Sequence, residues 1–201
     1  TMQVGEYHFT WSPSQDSLWI HPNKPPFQLY GKEVQLAGSL GIHQKRVFGK
    51  GSLTLQDGLM DSDLFRFEAQ TWTSEDANLK IGKQMGLFAP AVFMTKVSLD
   101  ANMASHKVQI RPAKGELGAQ ITFPYIAYQS SLTEGTWDLT NQRFLLAGKN
   151  GFELTSLDSS GAVSGSMIRA STANYDLKAQ YLALSGVKEV EVGPALLYPE
   201  K

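Results

Sequence analysis

In "GTWDLTNQRFLLAG" (135–148) and "ANYDLKAQYLALSG" (173–186), an aromatic residue is followed by Asp, a short polar step and an alternating apolar run. "VSLDANMASHKVQI" (97–110) and "FTWSPSQDSLWIHP" (9–22) share the layout, with an apolar or aromatic residue before Asp or Ser. The markers Leu99, Trp137 and Tyr175 are evenly spaced, since 137 − 99 = 38 and 175 − 137 = 38. Trp11 does not fit the series, because 99 − 11 = 88. An Asp directly after a strand bonds its own backbone two residues on and starts a turn. Asp100, Asp138 and Asp176 are therefore expected to be turn formers, each after a core-facing residue and before a returning strand. Equal spacing of such corners points to one unit stacked on copies of itself, each burying its apolar face against the next. A unit of 38 residues holds about four strands of ordinary length with their turns.

Period-two alternation supports strands along most of the chain. "EYHFTW" sets Tyr7, Phe9 and Trp11 on one face and His8 and Thr10 on the other. "KEVQLAGSLGI" (32–42), "GKGSLTL" (49–55), "LFRFEAQTW" (64–72), "AVFMTKVSL" (91–99) and "AQITFPYIAY" (119–128) read the same way. So do "RFLLAG" (143–148), "GFELTSL" (151–157) and "VSGSMIRA" (163–170). Gln-Asp-Gly (56–58), Lys-Asn-Gly (149–151) and Asp-Ser-Ser-Gly (158–161) supply turn chemistry between them. Pro124 inside a strand-like run predicts an edge or a bulge, because Pro cannot donate to a ladder. One short helix is expected in "TSEDANLKIGKQMGLF" (73–88), with Glu75 and Asp76 in its first turn after a Ser or Thr cap. The reading is an all-β chain of stacked antiparallel sheets, sandwich-like, built from imperfect repeats with little helix. Residues 1–96 form an irregularly spaced amino-terminal region. Residues 97–201 hold units near 97–134, 135–172 and 173–201, and one continuous core spans both regions.

Composition narrows the function. Charged residues make up 18% and the net charge is −1, so no global field draws in nucleic acid. Cys is absent, which excludes disulfides, thiolate metal sites and a Cys nucleophile. No apolar run reaches the length of a membrane-spanning helix. The chain opens on a strand already under way, with no signal peptide in view, and is expected to be a fragment or a processed chain.

Few constellations suggest chemistry. His8, His21, His43 and His106 lie far apart in sequence, with no pair at ligand spacing, and no metal site is expected. Asp57, Asp61 and Asp63 in "DGLMDSD" resemble a calcium loop, but the EF-hand pattern and its bidentate Glu are missing, and a solvated turn is expected. Trp11, Trp19, Trp72 and Trp137 are either core residues or a stacking platform for sugar rings. Nucleophile-elbow, phosphate-loop, dinucleotide and zinc-protease motifs are all absent. Glu116 and Glu134 are one carboxylate pair of the kind glycoside hydrolysis uses, but their separation is not written in the sequence. No catalytic residue and no cofactor is predicted.

"ANYDLKAQYLALSGVKEVEVGPALLYP" resembles the OstA-like repeat of lipopolysaccharide-transport periplasmic proteins. "FQLYGKEVQLAGSLGI", "GKGSLTLQDGLMDSDLFRFEAQTWTSEDANLKI" and "ITFPYIAYQSSLTEGTWDL" resemble segments of very large Bacteroidota cell-envelope proteins built from such β-repeats. The resemblance implies a folded-over pair of sheets, a β-taco or β-jellyroll, and a place in the periplasm or at the cell surface. It implies flanking repeats of a longer chain, or other envelope proteins, as partners. The expectation is a non-catalytic structural or scaffolding segment. The alternatives are a lipid conduit whose sheets stay apart to hold acyl chains, and a carbohydrate-binding or adhesive module.

Overall fold

The structure, a computed structural model, describes residues 6–24, 26–44, 46–82, 90–116, 119–192 and 195–198. Their alternating sequence forms strands almost throughout, and every pairing between strands is antiparallel. The first eight strands are β1 (Glu6–Ser12), β2 (Ser17–Lys24), β3 (Phe27–Leu29), β4 (Val34–His43), β5 (Arg46–Leu55), β6 (Gly58–Phe67), β7 (Thr71–Ile81) and β8 (Val92–Asn102). The next five are β9 (Lys107–Pro112), β10 (Ala119–Phe123), β11 (Tyr128–Leu132), β12 (Glu134–Asp138) and β13 (Arg143–Leu157). The last four are β14 (Val163–Asp176), β15 (Tyr181–Ser185), β16 (Glu189–Val192) and β17 (Ala195–Leu197). All seventeen belong to one hydrogen-bonded sheet.

Long strands fold that sheet in two. The closing half of β4 pairs with β2, while its opening half pairs with β3. In the same way β8 serves β9 and β10, β13 serves β12 and β11, and β14 serves β15 and β16. β5, β6 and β7 also run through both halves. The first half-sheet reads β1, β2, β4, β5, β6, β7, β8, β9, β12, β13, β14, β15, and the second β3, β4, β5, β6, β7, β8, β10, β11, β13, β14, β16, β17. The bend falls where ladders slip: between Gly49 and Gly51, Ser74 and Ala77, and Ala147 and Phe152. Such bulges bend a strand and re-aim its side chains. At the first crease Gly38 sits opposite Gly51, both at positive φ. A Cβ on Gly38 would lie 2.0 Å from the Lys50 carbonyl oxygen, so the two backbones approach more closely than any side chain allows.

Cross-strand rows of inward side chains build the core, and two of them trace the two halves from end to end. In the first half-sheet the row is Trp11, Leu18, Ile42, Val47, Phe67, Trp72, Ala101, Val108, Trp137, Phe144, Tyr175 and Leu182. In the second it is Phe27, Leu36, Leu53, Met60, Leu79, Met94, Ile121, Ser130, Leu154, Ile168, Val190 and Leu197. The halves face each other with an offset. Phe123, on the seventh strand of the second half, meets Phe144 and Tyr175 on the tenth and eleventh of the first, at 6.4 and 5.6 Å between ring centroids. The Tyr30 hydroxyl donates to the Thr71 carbonyl at 2.6 Å, from the first turn of one half to the third of the other. Burial raises the Tyr30 pKa to about 12, so it donates across the whole physiological range. One buried cluster runs from Ile20 to Tyr175, and β8 itself crosses the expected boundary at 96/97.

Among the described residues, the offset leaves two inner faces exposed. The first row is exposed at its start, with Trp11 at 56%, and buried from Trp72 to Tyr175. The second is buried from Phe27 to Leu154 and opens at its end, with Leu197 at 55%.

Several expectations are corrected. Residues 73–81 belong to strand β7, not to a helix, and 83–88 lie outside the described residues. The bulge between Ser74 and Ala77 shifts the inward phase by one residue, which hides the period of two. The run 64–72 is broken by a turn at 68–70, and 119–128 by a 3-10 turn over Pro124–Ile126 that closes on Ala127 at φ 54°. Pro124 thus opens a corner, where its missing N–H costs nothing. Lys149-Asn150-Gly151 is not a hairpin; Gly151, at φ 82°, lies in the ladder slip inside β13.

Candidate functional site

Asp138 ends β12 and Asp176 ends β14, and both shape the corner that follows. The Asn141 backbone N–H donates to Asp138 Oδ1 at 2.9 Å, and Asn141 Nδ2 to Oδ2 at 3.0 Å. The Ala179 and Lys178 N–H groups donate to Asp176 Oδ1 at 2.8 and 3.0 Å. Asp100 does not do this. It is exposed within β8, and Asn102, two residues on, caps the corner by accepting from the Ser105 N–H at 2.9 Å. Leu99 and Ala101 both point inward, so the slip of two kept the phase and hid the error. The three corners begin at 103, 139 and 177, giving spacings of 36 and 38. Upstream, corners of the same half-sheet begin at 13, 44 and 68, so the spacing is uneven there.

These bonds hold the Asp138 carboxyl below the usual range, chiefly through the Asn141 N–H, and the Asp176 carboxyl likewise, chiefly through the Ala179 N–H. Asp158 is lowered too, first by the Ser160 hydroxyl. A carboxyl depressed on folding stabilises the fold fully above its unfolded value of about 3.9, and that contribution is lost as pH falls through the folded values. Thermal melts followed by circular dichroism are therefore expected to show a falling Tm below about pH 4. The double variant Asp138→Asn, Asp176→Asn should flatten that fall, and an unchanged slope would refute the assignment.

The four tryptophans do not make a platform. Trp72 and Trp137 are 0% and 1% exposed and fill the interior, so neither offers a face to a sugar ring. Trp19 lies half-buried on the outer face, edge-on to Phe48 at 5.5 Å, while Trp11 belongs to the inner face. The histidines sit apart. His21 Nδ1 bonds the Ser39 hydroxyl at 2.7 Å, and His43 Nδ1 lies 2.9 Å from the Asp16 carbonyl oxygen. His106 faces Glu33 at 3.8 Å, and His8 is exposed on β1. Among the described residues no three His, Asp or Glu side chains converge on a metal-sized point. Asp61 and Asp63 lie on strand β6 rather than in a loop, bonded to Ser52 and Lys50. Glu116 and Glu134 are separately paired, with Lys96 at 2.7 Å and Arg111 at 3.1 Å.

A concavity of about 370 Å³ opens where turns of the second half-sheet meet turns of the first. Gln56 and Asp57 reach it from the β5–β6 turn and Tyr125 from the β10–β11 turn. Gln142 and Gln180 reach it from the β12–β13 and β14–β15 turns, and Trp137 forms part of its wall. The sequence reading missed this site, because its residues are scattered over four hairpins and only the offset of the halves brings them together.

Fold and site together define an all-β class, one antiparallel sheet folded over a side-chain core. No protein-family model matches the chain, and no curated protein matches it.

Proposed function

We propose that the chain is a non-catalytic structural segment that extends end to end, its sheet continued by further strands of the same kind. The observation behind this reading is the pair of uncovered inner faces at opposite ends of the stack, marked by Trp11 and Leu197. Tyr7 and Phe9 widen the first, at 46% and 57% exposure. β1 and β15 each pair on one edge only among the described residues, as do β3 and β17. Such edges invite another strand. Each half-sheet has twelve strands of alternating direction, so its last strand and the first strand of a following copy run antiparallel. The overhanging second half of one copy then lies over the open first half of the next, and Leu197 and Trp11 are both covered. A setting among envelope β-repeats, as the resemblance implies, is part of the same proposal. The interior packed with Trp72, Trp137, Phe123 and Tyr175 weighs against the lipid-conduit alternative, which needs the halves apart.

The test is sedimentation analysis over a range of concentrations. The wild-type chain is expected to associate progressively, and Trp11→Lys and Leu197→Lys each to stop at monomer. Mixing the two variants should restore a one-to-one pair, because one keeps the second end intact and the other the first. A monomeric wild type, or a mixture that stays monomeric, would overturn the reading.

A further inference from the structure

We infer that the seam between the two sets of turns is a binding pocket for a short, neutral, hydroxyl-rich ligand, a glycan of about two sugar units. Its 370 Å³ falls within the range of small-molecule sites, about 300–1,000 Å³. Gln56, Gln142 and Gln180 line it from three separate turns, and each carries a side-chain amide. An amide both donates and accepts, as a sugar hydroxyl does, so each can serve one hydroxyl in either direction. The Asp57 carboxylate accepts only, and suits a pair of neighbouring hydroxyls. The Tyr125 ring, 36% exposed, supplies a flat apolar face for the C–H side of a pyranose. Lys178 balances Asp57 in charge, so the described lining carries no net charge to select an anion.

The three glutamines are not explained by their turns. Each sits in the left-handed region, at φ 50°, 51° and 56° for Gln56, Gln142 and Gln180. Gly, Asn and Asp take that conformation most readily. Comparable positions away from the pocket carry Asp16, His106 and Ala127. Gln44 shares the conformation at a turn that does not reach the pocket, so the backbone alone does not mark the site; convergence does. Trp137 lines the pocket only as a buried wall, 1% exposed, and its unpartnered indole N–H is buried, as is that of Trp72 away from the pocket.

This site shares no residue with the two open ends, so its test and that of end-to-end growth fail separately. Isothermal titration of the full chain with cellobiose, maltose and N,N′-diacetylchitobiose reads the site directly. At least one is expected to bind with a Kd of about 1 mM or tighter. Gln142→Asn and Gln180→Asn keep a residue suited to the turn but draw the amide back by one methylene. Each should weaken binding about tenfold with an unchanged melting curve. Gln44→Asn, the same change off the pocket, should leave the affinity as it was. Absence of heat with all three sugars up to about 10 mM, or affinities indifferent to the Gln142 and Gln180 changes, would overturn the assignment.

Discussion

Replacing Trp137 with Ala is expected to cost about 3–5 kcal/mol of stability, seen as a lower urea midpoint with an unchanged slope. The ring is 1% exposed and spans the interior. Gly58, on the opposite half-sheet, has no side chain where the ring arrives: a Cβ there would lie 2.3 Å from it. Truncation removes one of the largest buried side chains from a site whose walls are the two halves of one folded sheet. Crossing strands hold those halves at a set separation, so the hole closes only in part and the cavity cost adds to the lost burial. Trp11→Ala is the control. It occupies the equivalent row at the uncovered end, at 56% exposure, and should change stability by no more than about 0.5 kcal/mol. Equal losses at both positions would mean that the halves do not enclose the core as described.

Gly38→Val or Gly51→Val is expected to cost about 3 kcal/mol or more. Both residues hold φ values that side chains disfavour, +157° and +126°. Both would also drive a Cβ into backbone, 2.0 Å from the Lys50 oxygen in one case and 2.4 Å from the Ala37 oxygen in the other. A rotamer change relieves neither clash, because the obstacle is main chain. Gly31→Ala separates the two effects. Gly31 has φ +67° but open space around it, so only the conformational cost of about 1 kcal/mol remains. Urea unfolding of the three variants measures the contrast, and a Gly38 variant no worse than the Gly31 one would show that the crease does not need the close approach.

The strands were legible where alternation is unbroken, and less so where a strand turns a corner within itself. "EYHFTW" placed Tyr7, Phe9 and Trp11 on one face, as β1 has them, but nothing local says that this face lacks a covering layer. Asp138 and Asp176 were readable because a carboxylate beside a strand end satisfies nearby N–H groups by itself. Asp100 misled because Asn102 does the same work two residues later. In β13, Asn-Gly chemistry that often makes a hairpin instead serves a bulge, and the choice depends on a facing strand over twenty residues away. The pocket was illegible for the same kind of reason. Gln is not a typical turn residue, and Gln56 and Gln180 line one pocket only through the offset between half-sheets.

The pairing pattern bears on how such a chain acquires its structure. The widest ladder joins Arg143 to Asp176, a separation of 33 residues (176 − 143). Among the described residues, no strand from the far end returns to pair with the start. Loop closure over so short a span is entropically mild, and nearby partners speed folding. A polypeptide threading out of a narrow pore can therefore zip up in order as it emerges, each newly freed stretch finding its template already in place.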